Sequence, residues 1–345
     1  MPETFSVAMC TYAGARFVGA QLESIAAQTR TPDELVVCDD RSPDETARVV
    51  EEFAARSTFP VRLHVNERNL GSTKNFERAV SLCAGDLVAL CDQDDVWLPS
   101  KLARLEEEFR RRPRAALVFS DAEVADESGR PTGRGLWESV GVRSAELERL
   151  RAGKGLGDLL SGATVTGATA ALRADLRRLA LPIPEGLPLI HDAWIALIAA
   201  CAGEVVPVEE RLVLYRRHAA QQVGPLGRKS AAGGLGARAS GEAAGALGRA
   251  NPYSETLAVA RAVRERLLER RGEGLGAEFE AGFDTARALA ELESRITHLE
   301  ARRGLPRARL LRAWPVLREL ATLRYRRYSN GVASAAKDLL TRGRA

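Results

Sequence analysis

Over its first 120 residues the chain alternates five short apolar runs, Phe5–Cys10, Leu35–Cys38, Val61–Val65, Leu87–Cys91 and Ala116–Phe119, with stretches of helical periodicity. Runs this short and this apolar read as strands buried on both faces. Between them, Gly14–Ala27 sets Phe17, Val18, Leu22 and Ile25 at three-to-four spacing, and Pro43–Ala55 reads as a helix capped by Ser42 with proline at its first position. Strands that alternate with helices predict an α/β fold, Rossmann-like, with a mainly parallel sheet covered by helices on both faces. Such sheets bind ligands beyond the carboxyl ends of their strands.

The pattern loosens after Ser128 and returns at Thr164–Leu172, which reads as a strand; a helix follows over His191–Cys201, then Val205–Tyr215 as a final strand pair interrupted at Glu209 and Glu210. Gly224–Ala250 is almost entirely Gly, Ala, Ser, Leu and Arg, a composition that builds no specific core. From Pro252 onward only helical periodicity remains, with Val259, Val263 and Leu267 in one stretch and Leu289, Leu292, Ile296 and Leu299 in another. The expected organisation is a catalytic-type domain over 1–226, a linker over 227–250 and a C-terminal helical unit over 251–345. With 345 residues, 45% of them hydrophobic, the chain can bury a large core. Its five cysteines (Cys10, Cys38, Cys83, Cys91, Cys201) lie in or beside apolar runs without a CxxC pair, and are expected as reduced core thiols.

The net charge of +4 is unevenly spread. Residues 301–345 hold twelve Lys and Arg against Glu319 and Asp338, a local +10 that leaves −6 on the rest. A basic tail on an acidic body calls for an anionic partner, nucleic acid or an anionic lipid surface; no nucleic-acid-binding motif accompanies it. In Leu305–Tyr328, Leu310, Trp314, Leu317 and Leu320 fall at helical spacing among arginines, with Pro315 expected to kink or divide the helix. These apolar residues could face a membrane or pack on protein. The longest apolar stretch, Ala193–Ala202, is about half a membrane span, and no basic segment precedes the first apolar run. A cytoplasmic protein is expected, peripheral on the inner face of the cell membrane if the tail docks there.

Asp92-Gln93-Asp94-Asp95 directly follows the run Leu87–Cys91. Carboxylates this close repel one another, and a divalent cation with oxygen ligands relieves that cost; the plainer alternative is a solvated turn capping the next helix. Asp39-Asp40 ends another strand, so a parallel sheet brings both acidic groups to one edge. No GxxxxGK[ST] loop occurs and no GxGxxG follows the first strand, which excludes the common phosphate-binding loops.

Together, Ser6–Tyr12, Gln28-Thr29, Val37–Ser42, Asn69-Leu70-Gly71, Asn75 and Asp92–Asp95 resemble the family-two inverting glycosyltransferases of the glycosyltransferase-A fold. The resemblance continues through Thr166-Gly167, His191-Asp192 and Tyr215–His218. In the tail, Tyr328–Gly331 and Lys337-Asp338 look like bacterial rhamnosyltransferase-type members. It implies that Thr11 and Asp40 hold the nucleotide base, with Tyr12, Asn69, Lys74 and Gln93 also on the donor side. Asp92 and Asp94 match the DxD motif, the first near ribose and sugar, the second a ligand of Mn²⁺ or Mg²⁺, with His218 a further metal candidate. Asp95 is an extra acid that either reaches the sugar or caps the next helix. Asp192 matches the catalytic base, although an acidic residue in the first turn of a helix is also favoured by the helix dipole. Gly167, His191 and Trp137 are the acceptor-side candidates, Trp137 as a stacking platform, while Trp97 and Trp194 are expected in the core. Where family members commonly carry asparagines, this chain has Gln221-Gln222-Val223-Gly224.

The implied activity is metal-dependent inverting transfer from a dTDP- or UDP-sugar, dTDP-rhamnose favoured, to a cell-surface polysaccharide or lipid-linked glycan. The alternatives are a nucleotidyltransferase, or a non-catalytic carbohydrate-binding protein that keeps the fold.

Overall fold

The structure is a computed structural model and describes residues 3–162, 164–219, 221, 253–272, 285–306 and 308–340. The expected linker, 227–250, lies outside the described residues. Nine strands form one sheet: β1 (Phe5–Thr11), β2 (Glu34–Asp39), β3 (Val61–Val65), β4 (Leu87–Asp92), β5 (Val96–Trp97), β6 (Ala115–Ala125), β7 (Pro131–Gly135), β8 (Ala170–Arg173) and β9 (Glu204–Arg216). Their order is β3-β2-β1-β4-β8-β6-β9-β5, with β7 on β6. The first four strands in this order are parallel. Beyond them the sheet is mixed, because β8 runs antiparallel to both neighbours while β6 and β9 are parallel.

Helices α1 (Val18–Ala26), α2 (Thr46–Ala54) and α3 (Ser72–Leu82) serve the parallel half, and α4 (Lys101–Arg111) packs on β6 and β9. They are followed by α5 (Leu136–Val140), α6 (Ser144–Arg151), α7 (Leu156–Ser161), α8 (Arg177–Ala180) and α9 (His191–Ala202). The C-terminal helices are α10 (Ser254–Gly272), α11 (Thr285–Arg303), α12 (Ala313–Ala321), α13 (Arg324–Tyr328) and α14 (Val332–Leu340). Alternation along β1 sorts the core: Val7 and Met9 join the cluster made with α1, α2 and α4, while Ala8 and Cys10 join the opposite cluster with α3, α7 and α9. Both faces are therefore covered, and all five cysteines are buried free thiols.

The helix over α9 is apolar nearly all round because it lies between the sheet and α11, with Trp194, Ile195, Leu197 and Ile198 all buried. No described helix is long and apolar enough to cross a membrane. The periodic rows of α10 and α11, including Val263 and Leu292, belong to the same cluster as α9, so these helices complete one face of the sheet. A smaller cluster of Val316, Tyr325 and Ala335 closes the C-terminal end. It is tied by Arg302 to Asp338 at 2.7 Å, Tyr325 Oη donating to Asp338 at 2.8 Å, and His298 Nδ1 with Glu319 at 2.7 Å.

Three local expectations are corrected. The second helix begins at Thr46 rather than Pro43, because Ser42 gives its hydroxyl to Asp39 and the turn is instead held by Asp44, which accepts from Thr46 N–H at 3.2 Å. Within Thr164–Leu172 only the end is strand; Gly167–Thr169 forms a 3-10 turn. The predicted strand pair is one long strand, β9, whose pairing with β6 jumps from Ser120–Val208 to Asp121–Arg211, so Glu209 and Glu210 form a bulge rather than a turn.

Candidate active site

β1, β2 and β4 end side by side, with Thr11 paired to Asp39 and Cys10 to Asp92. At the end of β2 the two aspartates divide their work. Asp39 accepts from Thr11 Oγ1 at 2.7 Å and from Ser42 N–H at 2.8 Å, which fixes the turn after the strand. Asp40 is buried and accepts from Leu70 N–H at 2.7 Å, Gly71 N–H at 2.8 Å and Asn66 Nδ2 at 2.7 Å. Gly71 has φ of 80°, a conformation side chains resist, so the segment before α3 is shaped by this carboxylate and by glycine together. Asp40→Asn would set an amide N–H against a backbone N–H. A loss of about 1–3 kcal/mol of stability is expected, read as a lowered urea midpoint.

The turn after β4 is held from two sides. Gln93 exchanges two hydrogen bonds with the backbone of Tyr12, both 2.9 Å, and lies so close to Gly14 that a Cβ there would fall 2.0 Å from its Oε1. Arg216 on β9 donates from its backbone N–H to Asp95 at 3.0 Å and from Nε to the Asp94 carbonyl at 2.8 Å. Asp95 is thus buried as an anchor to β9 and caps no helix; burial, then the charges of Asp94 and Asp92, push its carboxyl well above the usual range. Burial, then Asp94 and Asp192, likewise push Asp92 up to about 7.

Beneath this turn lies a buried lysine that no sequence motif marks. Lys101 is wholly buried at the start of α4, its Nζ donating to the Ala168 carbonyl at 2.7 Å and sitting 3.5 Å from the centre of the Trp97 ring. Burial pushes it down to about 7 against the opposing pull of neighbouring acids, Asp95 and Asp92 among them. It ties the start of α4 to the Gly167–Thr169 turn.

Asp192 stands in the first turn of α9. Its Oδ1 accepts from Ala193 N–H at 2.6 Å and its Oδ2 from Gly167 N–H at 3.2 Å. A side chain at Gly167 would meet His191 Nε2 at 3.2 Å and Asp192 Cβ at 3.3 Å, so glycine permits this approach. His191 is stacked on Phe76 with ring centres 3.9 Å apart, and burial lowers its pKa from the ordinary value. His218 reaches back from beyond β9, its Nε2 2.8 Å from Asp94 Oδ2 and its ring 4.6 Å from that of Phe17.

These groups line one cavity of about 420 Å³. Its wall includes Thr11, Tyr12, Asp40, Asp92, Gln93, Asp94, Gly167, His191, Asp192 and His218 from the sequence-based set. Phe17, Ser72, Val165, Ile190 and Gln221 join them without having been singled out for this wall. Three candidates stand outside it. Asn69 donates to the Asp40 carbonyl at 3.3 Å and shapes the loop, whereas Lys74 turns to Glu77 at 3.0 Å and the Ile183 carbonyl at 2.9 Å. Trp137 is 8% exposed, its ring packed 5.6 Å from Phe119 and its backbone N–H held by Asp121, so it offers no stacking face; Leu136 and Val140 of the same helix line the cavity instead.

Among the described residues no three His, Cys, Asp or Glu side chains form a ready-made metal cage. A divalent cation bound mainly through substrate phosphates and water needs only one or two protein ligands. Asp94 and His218, already in contact at the cavity wall, fit that requirement.

Residues 6–173 match the family described as Glycosyl transferase family 2. An uncharacterized protein of Mycobacterium tuberculosis is 27% identical over 221 residues, covering 62% of this chain and 59% of that protein. An uncharacterized glycosyltransferase of Nostoc sp. is 26% identical over 224 residues, covering 62% and 65%. The matched segment thus spans less than two thirds of either relative's length. The crystal structure of S. aureus TarS 1-349 in complex with UDP-GlcNAc superposes with a TM-score of 0.53 at 16% identity, over 97% of this chain and 81% of that one. This likeness shows the fold: a glycosyltransferase-A-type mixed sheet with a C-terminal helical region.

Proposed function

We propose that this chain, whose residues 6–173 match the family described as Glycosyl transferase family 2, transfers a sugar from a nucleotide-sugar donor to a glycan acceptor with inversion at the anomeric carbon. The observation that carries the reading is the convergence of Asp40, Asp92, Asp94, His218 and Asp192 on one cavity at the carboxyl edge of the parallel strands. Thr11, Tyr12 and Asp40 lie on the side where the nucleoside is expected, and the Asp92–Asp94 turn on the diphosphate side.

In the proposed reaction an acceptor hydroxyl attacks the anomeric carbon as the bond to the diphosphate oxygen breaks, and Asp192 takes the hydroxyl proton. One displacement from the face opposite the leaving group inverts the configuration. The Gly167 and Ala193 N–H groups hold the Asp192 carboxylate in place, while its own charge is what the departing proton neutralises. Mn²⁺ or Mg²⁺ held by Asp94 and His218 would neutralise charge developing on the leaving diphosphate. dTDP-rhamnose is the first donor to try, on the resemblance of Cys91–Trp97 and Tyr215–His218 to rhamnosyltransferases; UDP-sugars come next. A lipid-linked or cell-surface glycan is the proposed acceptor class, at the cytoplasmic face of the membrane.

The test is release of nucleoside diphosphate by the purified protein from a panel of dTDP- and UDP-sugars, with and without Mn²⁺ or Mg²⁺. Metal-dependent release that rises with a glycan acceptor is expected. Release of pyrophosphate from a nucleoside triphosphate and a sugar phosphate would point instead to a nucleotidyltransferase, and inert binding of glycan alone to a non-catalytic protein.

A further inference from the structure

The C-terminal helix α12 carries two apolar stripes, of which its own fold uses one. Val316 is fully buried and Leu320 partly so against Tyr325 and Ala335, with Arg312 and Glu319 buried on the same side. The other stripe begins in the 3-10 turn Arg309–Arg312 and runs through Leu310, Trp314 and Leu317, which are 93%, 75% and 56% exposed. Their spacing of four and then three residues puts them on one helical face. Pro315 lies in the first turn of α12, where it is tolerated, so the stripe is continuous across the junction. Soluble proteins rarely leave a contiguous apolar face of this kind without a partner.

Among the described residues of 301–345 the exposed charge has one sign. Glu319 and Asp338, the two acids of residues 301–345, are both buried, Glu319 paired with Arg324 and hydrogen-bonded to His298, Asp338 paired with Arg302. The acids are thereby withdrawn from the surface, and Arg309, Arg318, Arg326 and Arg327 remain exposed. Apolar side chains with tryptophan among them, bordered by arginine, on a described helix too short to cross a membrane, fit the interface of a bilayer rather than its interior.

We propose that this face docks the protein on an anionic lipid surface, with Leu310, Trp314 and Leu317 inserted at the headgroup level and the exposed arginines against lipid phosphates. Charge complementarity selects this occupant over a second copy of the chain, which would bring the same positive surface against itself. The proposal rests on the reading under Proposed function only for its purpose, which is to keep the cavity beside lipid-linked acceptors.

The full chain is mixed with vesicles of phosphatidylcholine alone, or with roughly one third phosphatidylglycerol, and sedimented at low and high salt. Binding is expected only with the anionic vesicles and should weaken with salt. L310S/W314S/L317S should lower it by about tenfold or more. R318E/R326E/R327E should lower it by more than about tenfold, since each basic residue near such a surface contributes about fivefold. Donor hydrolysis in solution should be unchanged in both variants, so loss of docking and failure of the catalytic reading are told apart. Equal recovery in the supernatant with both vesicle types would overturn the proposal. So would a salt-stable dimer that the serine variant dissociates. A serine variant that binds vesicles and a random oligonucleotide as well as the parent does would reduce the face to a plain basic surface, and would overturn it equally.

Discussion

Asp192→Asn is expected to keep donor affinity near that of the parent and to lower sugar transfer by about 10²-fold or more, the usual scale of general base catalysis. The amide preserves size but takes no proton. It also meets two backbone donors, Gly167 N–H and Ala193 N–H, with only one acceptor oxygen, so a small drop in melting temperature should accompany the lost turnover. The separation of effects is the informative part: titration calorimetry with nucleoside diphosphate reports the donor side, and product formation reports the base. Near-normal transfer would place the base elsewhere, with His191, buried 5% exposed beside it on Phe76, the next residue to replace.

Asp94→Ala should behave in the opposite way and remove diphosphate binding and turnover together. The substitution deletes a carboxylate that meets His218 at 2.8 Å on the cavity wall, one of two side chains proposed to hold the cation. Chelation of the parent protein should reproduce the same phenotype. The neighbouring Asp92 adds a pH dependence whose sign is fixed. With its carboxyl raised to about 7 by burial and by Asp94 and Asp192, it is protonated below that pH and ionised above it. Cation binding favours the ionised form and releases a proton, so metal affinity should strengthen as pH rises through about 7. Unchanged metal-dependent affinity in a folded Asp94→Ala protein would remove Asp94 from the cation site.

The parallel half of the sheet is legible because short apolar runs are costly when exposed, and the acids at its edge are legible because they follow two of those runs directly. Parallel register sets the ends of β1, β2 and β4 side by side, so Thr11, Asp40 and Asp92 reach one edge of the sheet. Contacts made across the fold were less legible. Lys74 and Asn75 are adjacent in sequence, but one residue along a helix turns the side chain by about 100°, and α3 sends Asn75 to the cavity and Lys74 to Glu77. Trp137 sits in a glycine-rich stretch that reads as loop; Asp121, sixteen residues away on β6, captures its N–H and Phe119 covers its ring. Lys101 reads as an ordinary charged residue at a helix start, and only the arrival of Ala168 and Trp97 shows that it is buried beneath the acids. In the C-terminal region, helical period alone could not separate stripes that complete the core from one that faces solvent. Val263 and Leu292 proved to belong to the first kind and Leu310 and Trp314 to the second.

The central claim is that one cavity binds a nucleotide sugar and a cation and passes the sugar on with inversion. It is tested most directly by proton NMR of the anomeric signal while the purified protein turns over a nucleotide-sugar donor of known configuration in the presence of a glycan acceptor and Mn²⁺. The account predicts a first-formed glycoside of the opposite anomeric configuration, appearing with the parent protein and about 10²-fold or more slowly with Asp192→Asn. A first-formed product that retains the donor's configuration, or equal formation by the two proteins, would contradict it.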